Sequence, residues 1–257
     1  MARNRRNNKN SSHVNEYEYV ETSSRRIKEK FQYQREEERQ AKPLVPLTEK
    51  QKTFMRLIRE KDCIVATGLA GTSKSYIPSA MAADMYRLGQ IDKIIVTRPA
   101  ISSSKSLGYF KGTSEEKLTC WLGPVIDVLK ERLGSAAFEI AMNKGDIHFV
   151  PLETIKGSSF NNAFVIVEES SDLTKEEIIK LVTRVGKNTK ITITGDVLQA
   201  ELNGGAGMKW LSSFVQRNNL DGHFGFVDFN SYDDIVRSGV VKSFLIALHE
   251  EDGINRR

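Results

Sequence analysis

The fold this sequence predicts is a three-layer α/β sandwich around a mainly parallel central sheet, and three observations predict it. Short apolar runs recur along the chain, each followed after a short loop by helical-looking sequence; that alternation builds a parallel sheet covered on both faces. One junction, between Cys63-Ile64-Val65-Ala66 and the helical-looking Tyr76-Ile77-Pro78-Ser79, is bridged by Gly68-Leu69-Ala70-Gly71-Thr72-Ser73-Lys74-Ser75, the strand, loop, helix context of a phosphate-binding loop. Two other runs end in carboxylates, at Glu168-Glu169 and at Asp196. In an open parallel sheet, ligands gather beyond the carboxyl ends of the strands.

Bulk properties set the frame. At 257 residues the chain can hold one α/β domain with a substantial core. With 39% hydrophobic and 28% charged residues it reads as soluble and globular. No apolar run reaches membrane-spanning length, and no apolar segment follows the first positive charges, so neither a membrane span nor a secretion signal is expected. Cys63 and Cys120 lie far apart and outside metal-ligand spacing, which suggests reduced thiols in a cytoplasmic setting. The net charge of +5 suits a polyanionic partner without requiring one.

Residues 1–42 read as a basic arm, disordered or loosely helical, because Met1 to Asn10 hold four bases, no acid and no sizeable apolar residue beyond Met1. A solvated tail and an auxiliary nucleic-acid contact are its two readings. Prolines at 43 and 46 then disfavour helix, and the domain is expected over 43–250, with 251–257 as a tail. Thr48 reads as a helix N-cap with Gln51 at the third helical position. Gln51 is thus either a local cap partner or an amide placed to pair with the edge of an adenine.

In the loop, Gly68, Gly71, Lys74 and Ser75 hold the pattern G-x-x-x-x-G-K-[ST], except that Ser73 replaces its second glycine. Backbone N–H groups from Gly68 to Tyr76, at a helix N-terminus, would hold a polyphosphate, with Lys74 reaching the β- and γ-phosphates and Ser75 ligating Mg²⁺. The competing reading is a chance turn rich in small residues. Next come a strand ending at Thr97-Arg98-Pro99, helical sequence from Glu115 to Leu133, and a strand at Ile147-His148-Phe149-Val150, whose lone histidine is read as packed or edge-exposed. Ala163 to Val167 is apolar throughout, so it reads as a strand buried on both faces. Glu168 beyond it suits Mg²⁺, directly or through water, and Glu169 suits activation of an attacking water. Lys190 to Thr194 brings Asp196 and Gln199 to where the γ-phosphate would be sensed. A last strand spans His223 to Phe229, followed by an expected helix through Asp233 to Arg237 and on to His249.

With these motifs in order, the sequence resembles the PhoH family of P-loop ATPases, themselves similar to the core of superfamily 1 helicases. The shared motifs are the loop Gly68 to Ser75, Thr97-Arg98-Pro99-Ala100, Leu107 to Gly112, Asn162 to Glu169, Leu181 to Gly186, Thr194 to Gln199 and Asp234-Ile235-Val236-Arg237. The resemblance implies a P-loop fold with a helicase-like core, binding of ATP and Mg²⁺, hydrolysis, and assembly as a ring homo-oligomer, a hexamer. It also implies a link to single-stranded RNA or DNA and a trans-acting arginine, for which Arg237 and Arg184 are the candidates. A surface salt bridge is the competing reading of each arginine. Arg98 is placed at the site edge or in a nucleic-acid channel, the latter preferred. The family's Asp-Glu-Ala-Gln is here Glu168-Glu169-Ser170-Ser171, and an arginine usual near Lys156 to Ser159 is missing. These departures point to a divergent member, virus-encoded or otherwise, and leave three readings: an ATPase motor on nucleic acid, a slow nucleotide switch or scaffold, and last a nuclease.

Overall fold

The computed structural model describes residues 42–99, 101–102, 105–106, 121–155, 159–196 and 206–251. Residues 1–41 of the basic arm, Cys120, Leu107 to Gly112, Lys156 to Ser158, Gln199 and residues 252–257 lie outside that set.

Burial along the strands decides the sheet. Strands β1 (Cys63–Gly68), β2 (Lys93–Arg98), β5 (Ile147–Pro151), β6 (Ala163–Val167), β7 (Lys190–Gly195) and β8 (Phe224–Phe229) form one sheet in the order β5-β2-β6-β7-β1-β8. All of its pairings are parallel. The interior strand β6 is buried at every residue, whereas the edge strands β5 and β8 alternate buried with accessible positions. That difference is what two-sided cover in the middle and partial cover at the rims produce. His148 sits half-buried on edge strand β5, as its isolated position suggested. A short antiparallel pair, β3 (Ile101–Ser102) and β4 (Lys105–Ser106), follows β2.

Alternate residues of each strand feed two cores. Ile64, Ala66, Ile94, Val96, Phe164 and Ile166 pack on one face beneath α1 (Glu49–Glu60), α2 (Tyr76–Arg87), α3 (Gly123–Leu133) and α4 (Ser135–Lys144). Cys63, Val65, Val165, Val167, Ile191 and Ile193 face the other way, under α5 (Lys175–Val182) and α6 (Ala206–Arg217). The three-layer α/β sandwich is therefore as expected. A buried tie links two helices of the first layer: Arg132 of α3 is 5% exposed and its guanidinium bonds both carboxylate oxygens of Asp84 on α2.

Two expectations need correction. Asp233 to Arg237 is not helical: Tyr232–Asp234 form one 3-10 turn, Ile235 is extended, and helix α7 begins only at Gly239 and runs to Glu251. The turn is closed by Ser231, which accepts from Asp233 N while its own N–H donates to Asp234 Oδ2, and this arrangement stops after one turn. Helix α4 has no counterpart in the sequence reading, since only Phe138 and Ala141 of it are buried and no apolar stripe marks it.

Candidate functional site

The phosphate loop folds as it does because three of its residues have left-handed backbone. Gly68 has φ 118°, and a Cβ there would meet the Phe229 carbonyl oxygen at 2.2 Å, so only glycine fits. Gly71 has φ 78° and Ser73 φ 72°. Ser73 thus keeps the conformation a glycine would hold, at a cost of roughly 1–2 kcal/mol for an L-residue. Gln51 braces it. The Gln51 amide donates to Thr72 O and Ser73 Oγ, both at 3.4 Å, while its Oε1 accepts from Leu47 N at 2.8 Å. Thr48 does cap α1, accepting from Gln51 N. Gln51 is 2% exposed behind the loop and outside the cavity lining, so it holds the loop instead of presenting an edge to a base.

The loop lines a cavity of about 490 Å³ together with Tyr76, Glu168, Glu169, Asp196 and Arg237. The sheet order explains the meeting: β7 stands between β1 and β6, so the loop, Asp196 and the two glutamates emerge along one edge. Ser75 Oγ donates to Glu168 Oε2 at 2.5 Å, and Thr194 Oγ1 donates to Glu168 Oε1 at 3.1 Å. Burial pushes the Glu168 carboxyl up, opposed by those two hydroxyls, and Glu169 pushes it further. Lys74 Nζ donates to Gly68 O at 2.7 Å and Leu69 O at 2.5 Å. Burial pulls its ammonium below the usual lysine range, while the charges of Asp196, Glu169, Glu168 and Asp228 oppose that shift. Glu169 is exposed to the cavity in the left-handed conformation, φ 52° and ψ 45°, a strained state for a residue with a Cβ. Ser171 does not reach toward the cavity; its Oγ accepts from Asp196 N at 3.0 Å.

The residues suit a hard cation. Ser75 and Glu168 offer adjacent oxygen donors at the base of the cavity, and among the described residues no group of three or more His, Cys, Asp or Glu could hold an ion alone. Such a pair fits Mg²⁺ whose remaining ligands are water and phosphate oxygens. The apolar side of the cavity is Pro124 and Val128 on α3, next to Tyr76. Neither was singled out by sequence, since both read as ordinary helix residues.

The arginines separate. Arg237 stands at its own chain's loop: Val236 N donates to Gly71 O at 3.0 Å, and the Arg237 side chain fills the space a Cβ on Gly71 would take. That segment is held by Lys50, which bonds Asp228 O at 2.6 Å and Asn230 Oδ1 at 2.5 Å and pairs with buried Asp234 at 3.4 Å. Arg184 lies past the end of α5 at the opposite, amino edge of the sheet, where its carbonyl accepts from Phe160 N. It is not brought to this chain's cavity. Arg98 ends β2 at the carboxyl edge but is also outside the cavity lining, its guanidinium 5.1 Å from the Trp121 ring centre.

Comparison with known proteins agrees with these motifs. A family model described as PhoH-like protein matches residues 43–249. Protein PhoH of Escherichia coli (strain K12) is 33% identical over 211 residues, covering 81% of this chain and 59% of that protein. The PhoH-like protein of Bacillus subtilis (strain 168) is 30% identical over 202 residues, covering 79% and 63%, and that of Mycobacterium tuberculosis (strain ATCC 25618 / H37Rv) is 34% identical over 168 residues, covering 65% and 48%. The chain therefore spans less than two thirds of the length of these relatives. Among solved structures, the S. cerevisiae Hsp104-ADP complex aligns with TM-score 0.31 and 12% identity, covering 79% of this chain and 36% of that one.

Proposed function

The chain belongs to the PhoH-like protein family, and on that premise we propose that it binds and hydrolyses ATP with Mg²⁺, as a ring of identical subunits, and couples turnover to single-stranded RNA or DNA. One observation carries the hydrolytic part: Ser75 and Glu168 are hydrogen-bonded at 2.5 Å, in a cavity that Lys74, Glu169 and Asp196 also line. The loop amides and Lys74 hold the β- and γ-phosphates. Mg²⁺, when bound through Ser75 and Glu168, offsets charge on the phosphate oxygens. Glu169 orients the attacking water and accepts its proton, with Asp196 beside the γ-phosphate. Arg237, supplied by the chain itself, adds positive charge at the loop, which leaves Arg184 as the candidate for a neighbour's site.

A second reading is a nucleotide-dependent switch with slow turnover. It is favoured by Ser171, whose hydroxyl accepts from Asp196 N and which does not line the cavity. Calorimetric titration with ATP and a steady-state phosphate-release assay test the assignment. Lys74→Ala should abolish ATP binding, and Glu169→Gln should bind as tightly as the parent while turnover falls at least about a hundredfold. Tight binding by the first variant removes the site. Normal turnover by the second moves the base elsewhere.

A further inference from the structure

Helix α7 does not behave as a member of this fold. Its sequence is Gly-Val-Val-Lys-Ser-Phe-Leu-Ile-Ala-Leu-His-Glu-Glu, yet its one buried residue is His249. Val240, Phe244 and Leu248, spaced i, i+4 and i+8 along one ridge, are 83%, 66% and 39% exposed. Among the described residues, neither of the two apolar cores includes any residue of α7. Leu245 and Ile246 are half-buried, His249 stacks on Tyr232 at 5.9 Å, and Lys242 lies beside Asp233 at 4.0 Å. An apolar ridge of this kind is ordinarily covered.

The same chain carries a matching hollow. Between α5 and α6, on the second layer, lies an almost wholly apolar groove of about 590 Å³ with Ile179, Val182, Trp210 and Phe214 on its walls and Leu220 and Phe224 at its end. Trp210 and Phe214 stack at 5.1 Å along one wall, and Ile179 and Phe214 are more than a third exposed. In its own chain the ridge lies elsewhere: no residue of α7 lines the groove, and the helix is stacked on Tyr232, beyond the last residue of β8.

We propose that α7 of one copy docks into the α5–α6 groove of the next copy, head to tail. A ridge of i±4 residues between two helices is a standard packing geometry, and helix-in-groove contacts use anchors at this spacing. Charge sets the direction. Glu250 and Glu251 end α7, and Lys175 stands at one end of the groove with Thr183 at the other. Placing the glutamates at Lys175 puts the start of α7 beside Thr183 and Arg184. Because α7 starts two residues after Arg237, that contact brings Arg184 toward the neighbour's phosphate loop. A contact between two different patches is heterologous, and it closes into a ring or extends as a filament. The contact supplies a joint for the ring proposed above, and the role of Arg184 in it rests on the ATPase reading. The docking itself rests only on the surfaces.

The test is the solution mass of full-length protein, by light scattering, with thermal melts as the fold control. Val240→Glu/Phe244→Glu breaks the ridge, and Phe214→Glu breaks the groove; Ile179→Glu serves for the groove if Phe214→Glu fails to fold. Each variant alone should be monomeric, half-assembling at a concentration raised roughly thirty-fold or more. Mixed in equal amounts they should form a 1:1 dimer and nothing larger, since one good ridge meets one good groove. A groove variant that assembles like the parent overturns the pairing while leaving a ring by other contacts standing. A parent chain that stays monomeric overturns both. Within the mixed dimer, Arg184→Ala should lower ATP turnover when carried on the ridge-broken chain and not on the groove-broken one.

Discussion

Ser75 and Glu168 are 93 positions apart in the chain and 2.5 Å apart in the fold. Each was legible by itself, one from its place after a glycine-lysine pattern and the other from its place after an apolar strand. Their contact was legible only by inference, since it depends on β6 and β1 ending along the same edge. Gln51 shows the opposite case. Its cap position was readable from four neighbouring residues, but its brace to Thr72 and Ser73 spans a gap that local pattern does not report. The buried carboxyl of Glu168 gives a prediction at this scale. In metal-free protein its folded pKa lies above the ordinary 4.5. An acid with a raised folded pKa holds its proton more tightly when folded, so its stability contribution is best below 4.5 and declines as pH rises through the raised value. Thermal midpoints of metal-free protein should therefore fall across that window, and Glu168→Gln should flatten the decline. An identical slope in the variant would assign it to other groups.

At the scale of elements, the six strands were readable because burial forces composition. Interior strands such as Ala163–Val167 must be apolar on both faces. Helix α4 escaped notice because it buries too little to leave a period, and the turn at Tyr232–Asp234 was misread because its acidic residues resemble a helix start. In fact that turn ends so that Ile235 to Arg237 can cross the phosphate loop. Asp234 holds it, accepting from Ser231 N and pairing with Lys50. Asp234→Ala should cost about 1 kcal/mol of stability, the worth of a lost cap. The ion pair should add little, because Lys50 is more than a third exposed. If Arg237 acts on the phosphates as proposed, turnover at saturating ATP should drop roughly tenfold, because a displaced charge loses its alignment. Denaturant melts and phosphate-release rates check the two effects separately, and unchanged turnover would mean that the Arg237 segment is not part of the machinery.

For the whole molecule, the six strands of the large sheet were legible, but the short pair β3-β4 and the strand order were not: no local pattern says that β7 separates the loop strand from the glutamate strand, or that β5 is outermost. That order puts Arg98 at the same carboxyl edge as the cavity, two strands beyond β7, where its guanidinium lies over Trp121. A planar cation on a half-buried aromatic ring is a surface on which unpaired bases can stack, and the chain's charge of +5 favours a polyanion. If turnover is coupled to a single strand, adding single-stranded RNA or DNA should raise the phosphate-release rate, and the gain should weaken as salt rises because bound cations are released from the strand. Arg98→Ala and Trp121→Ala should each remove most of that gain and leave the basal rate in place, since neither residue lines the cavity at the loop. A basal rate indifferent to nucleic acid would exclude the motor and favour the slow switch, in which ATP changes the state of the assembly instead of driving movement along a strand.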